Sequence, residues 1–508
     1  MCTCEYMNSL ACGINPFRSP KLSSSFEVRG KGPGAGFGVR SENVVVTMPS
    51  DEDPSGVKTV MMPATIIVED GKVAKILKRN EMLPPNSCQY VLDFGTLIIS
   101  PGFVDVHVHY NEPGRGEKEG FYTGTRAAAA GGVTTTVDMP LNGLLSTIDV
   151  ERFEAKLAVA EGKLAVDTAY WGGFVTDNTA NATVVDSMLR PLLASGVAGA
   201  KAFLNKAGEG FNFIGQSHLE NGIPALVDAG VPLLVHAEID GPPDQLPDEA
   251  FLGDYEEFST FLIGRPRSME RDAIELLLDT WKAQKAKSRL HIVHLADSES
   301  LPMLVRAKAA GMNLTVETGP QYLYFAEHEV PRGKTAYKCK PPIRTAADRD
   351  ALWAGVLSGD VDIVASDHAP GTPEEKMIES GDFVHAFAGI SSLQLDLPIT
   401  WTSGKARGLT PETMARFWSQ APAEMAGLSD IKGDIMEGKD ADFVVWDPSA
   451  EFVVNATELY HRHPITPFDG KTLQGEVKAT FVRGGMVYAD GKLSKRMCGK
   501  SLLRGQDF

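Results

Sequence analysis

Two histidines separated by one residue end an apolar stretch of the chain, in the sequence Asp105-Val106-His107-Val108-His109. Side chains two positions apart on a β-strand point to the same face of the sheet. His107 and His109 could therefore bind one metal ion together, because the neutral imidazole is a common metal ligand. The same spacing also fits two histidines packed in a protein core, so the pair alone leaves both interpretations open.

Three more candidate ligands, His236, His294 and Asp367, each follow a short apolar run typical of a buried strand. If these runs are parallel strands of one barrel, their carboxyl ends meet at the same rim, where barrel enzymes have their active sites. Imidazoles together with a carboxylate suit zinc. Manganese, cobalt and iron are alternatives, because the order of affinities alone does not select the metal in a cell.

A lysine, Lys201, interrupts a fourth apolar run over residues 199–204. Lysine is almost never fully buried without a partner. One interpretation is that its aliphatic stem lies along apolar surface while the ammonium reaches the rim. The other is that burial lowers the pKa of the amine, which then reacts with carbon dioxide to give a carbamate, an anionic ligand able to bridge two metal ions.

The elements that would position these residues alternate between short strand-like runs and longer helical stretches, which predicts parallel βα units. Eight such runs are present, the number that closes a TIM barrel, (β/α)8. No glycine-rich loop follows the first run, which argues against a doubly wound dinucleotide-binding sheet. The predicted strands are 102–109, 134–139, 168–175, 198–204, 232–237, 290–295, 313–317 and 362–366, and predicted helices include 121–130, 150–160, 188–193, 269–283 and 346–357.

Both ends of the chain are rich in β-branched residues and carry Asp-Gly turns, at Asp70-Gly71 and Asp490-Gly491, which indicate hairpins. The simplest assembly is one small β-sandwich made from both ends beside the barrel. We therefore predict a sandwich over 41–98 plus 430–492, a barrel domain over 99–429, a disordered tail over 1–40 and a C-terminal tail over 493–508.

The composition of the 508 residues, 43% hydrophobic and 23% charged, is that of an ordinary globular protein. The net charge of −17 disfavours nucleic acid and anionic membranes as partners, and no apolar run is long enough to cross a bilayer. The six scattered cysteines indicate a reducing compartment. Because the first 26 residues lack the pattern of a secretory signal, we predict a cytoplasmic location.

Residues 101–109, with Lys201, His236, His294 and Asp367 at the expected strands, resemble the cyclic amidohydrolases, a family that includes dihydroorotases, hydantoinases, dihydropyrimidinases and allantoinases. The resemblance covers about residues 40–490 and implies a TIM barrel with a flanking β-sandwich, a small-molecule substrate and a homo-oligomer, most often a tetramer. It also implies two divalent metal ions per chain: one bound by His107, His109 and Asp367, the other by His236 and His294, with carboxylated Lys201 (N6-carboxylysine) bridging them.

The resemblance further assigns roles in the reaction. Asp367 would be the catalytic general base and then general acid. Asn111 and the backbone at Lys340 and Gly389 would bind the substrate. His291 lies on the opposite face of its strand from His294, so we expect it to be structural.

Within the family, the motifs favour the allantoinases. Asn111 stands where dihydroorotases usually carry an arginine, and no tyrosine follows Lys201 as it does in hydantoinases and dihydropyrimidinases. Residues 134–142, 338–344 and 388–394 resemble the allantoinase motifs, whereas Gln321 and Ala369 depart from them. The expected activity is hydrolysis of the cyclic amide bond of allantoin to allantoate, a step of purine degradation.

Two alternatives stay open. One is a hydantoinase or dihydropyrimidinase acting on other cyclic amides. The other is a noncatalytic scaffold protein of the same fold. Such scaffold relatives lack several of the six ligand positions, all of which are present here.

Overall fold

The computed structural model describes residues 26–28, 36–51, 53, 56–78, 81–83, 88–207, 210–240 and 253–506. The chain begins with strands that lie in one mixed sheet: β1 (Phe26–Val28), β2 (Gly36–Pro49), β3 (Val57–Glu69), β4 (Lys72–Lys78), β5 (Cys88–Asp93) and β6 (Ile98–Pro101). β3 and β4 form the hairpin that the Asp-Gly pair predicts, with Asp70 at φ 50° and Gly71 at φ 74°. Both values lie in the left-handed region that a tight two-residue turn requires.

Within the described residues, the middle of the chain forms nine parallel strand segments: β7 (Phe103–Val108), β8 (Val133–Asp138), β9 (Asp167–Tyr170), β10 (Gly172–Gly173), β11 (Ala200–Phe203), β12 (Leu233–His236), β13 (Leu290–Ile292), β14 (Leu314–Thr318) and β15 (Ile363–Val364). β9 and β10 are the two halves of the predicted third strand, separated by Trp171, whose indole Nε1 donates to Val106 O at 2.8 Å. A parallel bridge between Val108 and His368 connects the eighth strand position to the first. The predicted TIM barrel is therefore confirmed.

Helices cover the outside of the barrel, and their amphipathic faces explain their positions. In the long helix α8, the buried side chains recur at Ala273, Ile274, Leu277 and Trp281, the spacing of one helical face. The helices are α1 (Phe121–Ala130), α2 (Val150–Ala160), α3 (Thr176–Thr179), α4 (Ala182–Val184), α5 (Arg190–Ala194), α6 (Gln216–Ala229), α7 (Phe258–Ile263), α8 (Ser268–Gln284), α9 (Leu301–Ala309), α10 (Pro320–Tyr324), α11 (Ala346–Ser358), α12 (Asp396–Gly404), α13 (Pro411–Ala415) and α14 (Ala421–Met425). Within the described ranges, no helix combines the length and apolar character that a membrane crossing needs.

Four further strands return to the first sheet: β16 (Phe443–Val453), β17 (Thr472–Val482), β18 (Gly485–Ala489) and β19 (Lys492–Leu493). β16 pairs antiparallel with β6, which joins the two chain ends into one ten-stranded sheet. Its apolar core includes Val39, Ile66, Phe443 and Phe481. The β-rich unit built from both ends beside the barrel is thus present as predicted.

The tails differ from the prediction. Residues 36–40 already belong to β2, and Phe26–Val28 pairs with β5, while 1–25 and 29–35 lie outside the described residues. Near the other end, Ser501 forms a parallel bridge to Thr168, and Leu502 is buried. Thr168 N donates to Lys500 O, and Leu502 N donates to Thr168 O, both at 2.8 Å. This C-terminal segment is ordered because it supplies the partners that backbone groups of β9 need.

Candidate active site

The six predicted ligand residues lie together at the carboxyl-terminal rim of the barrel, and all six are buried. His107, His109 and Asp367 form the first group, with candidate ligand atoms that lie within 4.8 Å of one another. Asp367 Oδ1 is 3.2 Å from His107 Nε2 and 3.3 Å from His109 Nε2. Two imidazole nitrogens and a carboxylate oxygen that face one point can hold a divalent metal ion.

His236 and His294 form the second group. His236 Nδ1 and His294 Nε2 lie 2.9 Å apart, and the ring centroids of His107 and His294 are 5.4 Å apart, so the two groups adjoin. His294 at φ 39° and Asp367 at φ 47° both have left-handed backbone conformations. Such conformations are costly for residues other than glycine and cluster at functional sites.

Lys201 is fully buried on β11, with its Nζ 5.1 Å from the centre of the Phe203 ring. Among the described residues, Nζ has no hydrogen-bond partner. Burial lowers the pKa of Lys201 to about 7, although Glu317 and Asp367 act to raise it. A large fraction of the amine is therefore uncharged near neutral pH and is nucleophilic. The burial of Lys201 therefore favours the interpretation of a reactive buried amine over that of an ammonium group that reaches solvent.

The histidines have the protonation state that metal binding requires. Burial lowers the pKa of His109 to about 4, and burial also lowers the pKa of His236 and of His294. Their imidazoles are therefore neutral at physiological pH, and a neutral ring nitrogen is the form that binds a metal ion.

Two carboxylates that were not predicted from the sequence, Glu317 and Glu238, lie within hydrogen-bond distance of these imidazoles. Glu317 Oε1 lies 2.7 Å from His107 Nδ1, and Glu238 Oε2 lies 2.7 Å from His236 Nε2. Burial alone would raise the pKa of Glu238, but Arg265, 2.8 Å away, and His236 lower it to about 2. A carboxylate that orients a ligating imidazole is a regular feature of metal sites. These contacts therefore fit a site that holds metal ions.

His291 contacts this outer layer rather than the site itself. Its Nε2 lies 3.1 Å from Glu317 Oε2, and its Nδ1 lies 2.8 Å from Thr315 Oγ1. The sequence contained one signal for these residues, since Glu238 follows His236 by two positions and so shares its strand face.

Of the predicted substrate contacts, the Asn111 side chain is free to bind a substrate and the Gly389 amide is not. Asn111 is buried at φ 64°, and neither its Oδ1 nor its Nδ2 has a protein partner within the described part of the chain. The Gly389 amide instead donates to Lys338 O at 2.9 Å, and the Gly389 carbonyl accepts from Lys376 Nζ at 2.8 Å. The Gly389 amide is therefore not available to a substrate, because the backbone of residue 338 already uses it.

A second acidic cluster, formed by Asp167, Asp440 and Asp442, lies away from this rim. The buried ammonium of Lys432 lies between these carboxylates, with Nζ to carboxylate distances of 2.6, 2.8 and 2.7 Å. Lysine already supplies the positive charge that a metal ion would bring, so this cluster is an internal ion-pair network.

Comparisons with known proteins agree with the geometry. The profile of the amidohydrolase family matches residues 98–487. The chain is 40% identical to the allantoinase of Arabidopsis thaliana over 476 residues, which cover 91% of this chain and 93% of that protein. It is 41% identical to the allantoinase of Streptomyces avermitilis over 434 residues, 85% of this chain and 93% of the relative. The structure of an L-hydantoinase (dihydropyrimidinase) from Arthrobacter aurescens superimposes with a TM-score of 0.83 at 26% identity, covering 92% of this chain and all of that one.

Proposed function

The chain belongs to the amidohydrolase family, and from this premise we propose that it hydrolyses the cyclic amide bond of allantoin to give allantoate. The observation that carries the proposal is the convergence of four buried imidazoles, Asp367 and the buried amine of Lys201 at one barrel rim. This donor set occurs in a chain that is 37–43% identical to four allantoinases or probable allantoinases over most of its length.

We propose that two divalent metal ions bind at this rim, with zinc as the preferred metal. His107, His109 and Asp367 would hold one ion, His236 and His294 the other, and the carbamate of Lys201 would bridge them. When bound, the ions would supply hydroxide from water at neutral pH and polarise the amide carbonyl. The neutral imidazoles, the carboxylate Asp367 and the unpartnered amine support this assignment.

The protein's own residues would move the proton. Burial alone would raise the pKa of Asp367, but His107 and His109 lower it, so its carboxylate is ionised at neutral pH. Asp367 would accept a proton from the attacking water and pass it to the leaving ring nitrogen, first as general base and then as general acid. The unpartnered amide of Asn111 would bind the neutral ureide group, and backbone groups at Lys340 would bind the ring.

Metal analysis tests the proposed ion count. Protein prepared with zinc and bicarbonate is expected to contain two zinc ions per chain, because the rim offers two adjacent donor groups and one bridging amine. The measurement is elemental analysis after removal of free metal, with a Lys206→Ala variant as control, since that substitution removes an exposed lysine and leaves both donor groups intact. Fewer than one ion per chain would contradict the two-ion proposal.

Turnover of four cyclic substrates tests the reaction. We expect allantoin to be hydrolysed with a higher kcat/KM than hydantoin, dihydrouracil or dihydroorotate, because the relatives that are 37–43% identical over most of the chain are allantoinases or probable allantoinases. Asn111 also offers no positive charge to the carboxylate of dihydroorotate. Product formation is measured for each substrate at equal enzyme concentration, with the Lys201→Ala variant as the blank. Faster turnover of any of the other three would overturn the substrate assignment.

The second candidate is a hydantoinase, which the superposition on the Arthrobacter aurescens enzyme favours. The scaffold alternative has less support, because all six candidate ligand residues are present and buried. The family resemblance further supports a homotetramer and a place in purine degradation. The small number of cysteines supports a cytoplasmic location.

A further inference from the structure

Two buried lysines, Lys338 and Lys376, lie behind the chain segments that border Asp367. Each side chain is buried, with 2% of the residue exposed. Across the described ranges, neither forms an ion pair with a carboxylate, although a buried lysine normally has such a partner. Their Nζ groups donate to backbone carbonyls instead.

Lys376 Nζ has three acceptors: Gly389 O at 2.8 Å, Phe387 O at 3.0 Å and Lys338 O at 3.3 Å. The three carbonyls match the three N–H donors of an ammonium group, although burial lowers the pKa of Lys376 to about 7. Lys338 Nζ donates to Ala386 O at 2.5 Å and to Val384 O at 2.9 Å. All five carbonyls belong to residue 338 or to residues 384–389.

These segments lie directly beside the proposed catalytic residue. Ala369, two positions after Asp367, donates its backbone N–H to Ile390 O at 3.0 Å. A Cβ added at Gly389 would lie 2.0 Å from Ala369 O, so the two backbones approach as closely as glycine allows. On the other side, Pro341 O accepts from the Tyr322 hydroxyl at 2.7 Å. Residues 338–341 and 387–390 therefore lie together beside Asp367, and we call these two segments the wall of the candidate active site.

We propose that Lys376 is a positioning residue for substrate binding, whose ammonium fixes residues 338–341 against residues 387–390 beside Asp367. The inference rests on the proposed function for the nature of the substrate, a cyclic amide. Lys376 does not touch the substrate in this proposal. Without the Nζ donor of Lys376, three carbonyls lose a hydrogen-bond partner, and the wall can shift out of the position that binds the substrate.

The test compares Lys376→Met with Lys308→Met in the zinc-loaded full-length protein. Lys308 serves as the control, because its Nζ also donates to a backbone carbonyl, Asp360 O at 2.6 Å. That carbonyl lies just before the start of β15, at the end of the strand away from the rim. We expect Lys376→Met to raise KM for allantoin about tenfold or more, with kcat changed by less than about threefold and metal content unchanged. Lys308→Met is expected to leave KM unchanged. An unchanged KM in Lys376→Met, or an equal rise in both variants, would overturn the proposal.

Two more variants keep the test decisive if Lys376→Met does not fold. Lys376→Gln retains a shorter donor, and Lys338→Met removes the contacts to Val384 and Ala386 from the other side of the wall. Each is expected to raise KM by a smaller factor than Lys376→Met. Thermal unfolding identifies folded protein, and failure of all three variants to fold would assign the lysines a purely structural role. If the unmodified protein turns over hydantoin faster than allantoin, the proposed substrate fails, while the KM ratios on hydantoin still test Lys376.

Discussion

Lys201→Ala is expected to lower kcat/KM for allantoin by about 10⁴-fold or more, the scale on which a catalytic unit fails when an essential member is removed. The amine is the proposed bridge between the two imidazole groups, and among the described residues it lies buried without a hydrogen-bond partner. Alanine can form no carbamate, so each proposed metal ion would lose an anionic ligand. Steady-state hydrolysis of allantoin and elemental analysis of the same preparation measure both effects.

The control is Lys206→Ala, which removes an exposed lysine five residues further along the same segment and should leave activity unchanged. Bicarbonate supplies a second control. Metal-free unmodified protein should recover activity faster when zinc is added with bicarbonate than without it, because the amine needs carbon dioxide to form the carbamate. Lys201→Ala should not respond to bicarbonate. A variant that keeps a tenth of the original activity would contradict the bridging role.

The second large effect is expected for Asp367→Asn, which should lower kcat by about 10²- to 10⁴-fold, the usual contribution of a general base. An amide of the same size cannot accept the proton. In the unmodified protein the pKa of Asp367 is lowered by His107 and His109 against the effect of burial. The carboxylate form is therefore present at every pH above that lowered pKa, so protonation of Asp367 should not limit activity near neutral pH.

The control for this prediction lies near the start of the same strand. Asp362 Oδ2 accepts from Lys308 Nζ at 2.5 Å, far from the rim, so Asp362→Asn should affect stability more than kcat. Metal content is measured in both variants, because Asp367 is also a proposed ligand. A full complement of metal with unchanged kcat in Asp367→Asn would exclude its role as the base.

The positions of the candidate ligands could be predicted because each ends a short apolar strand. Side-chain alternation placed His107 and His109 on one face, and barrel topology placed His236, His294 and Asp367 at the same rim. The contact of Glu317 with His107 was not predicted, because it joins residues 210 positions apart in sequence. The same limit applies to Gly389, whose amide partner at residue 338 belongs to a different loop.

The fold followed from periodicity wherever a strand is continuous and buried on both faces. It was less predictable at the third strand, which Trp171 divides because the indole turns to the Val106 carbonyl. The C-terminal residues lack a strand-like pattern of their own, and they are ordered by hydrogen bonds to Thr168. Such pairing depends on an unpaired edge elsewhere in the chain, which local sequence does not reveal.

The pairing of residues 500–502 with β9 has a consequence for synthesis of the protein. The third barrel strand keeps part of one edge unpaired until residues 500–502 have left the ribosome, although the remaining barrel strands are complete more than 130 residues earlier. Domains generally fold as they emerge, and an exposed strand edge can pair with other chains. The nascent barrel therefore passes through a long interval in which binding by a chaperone would protect that edge.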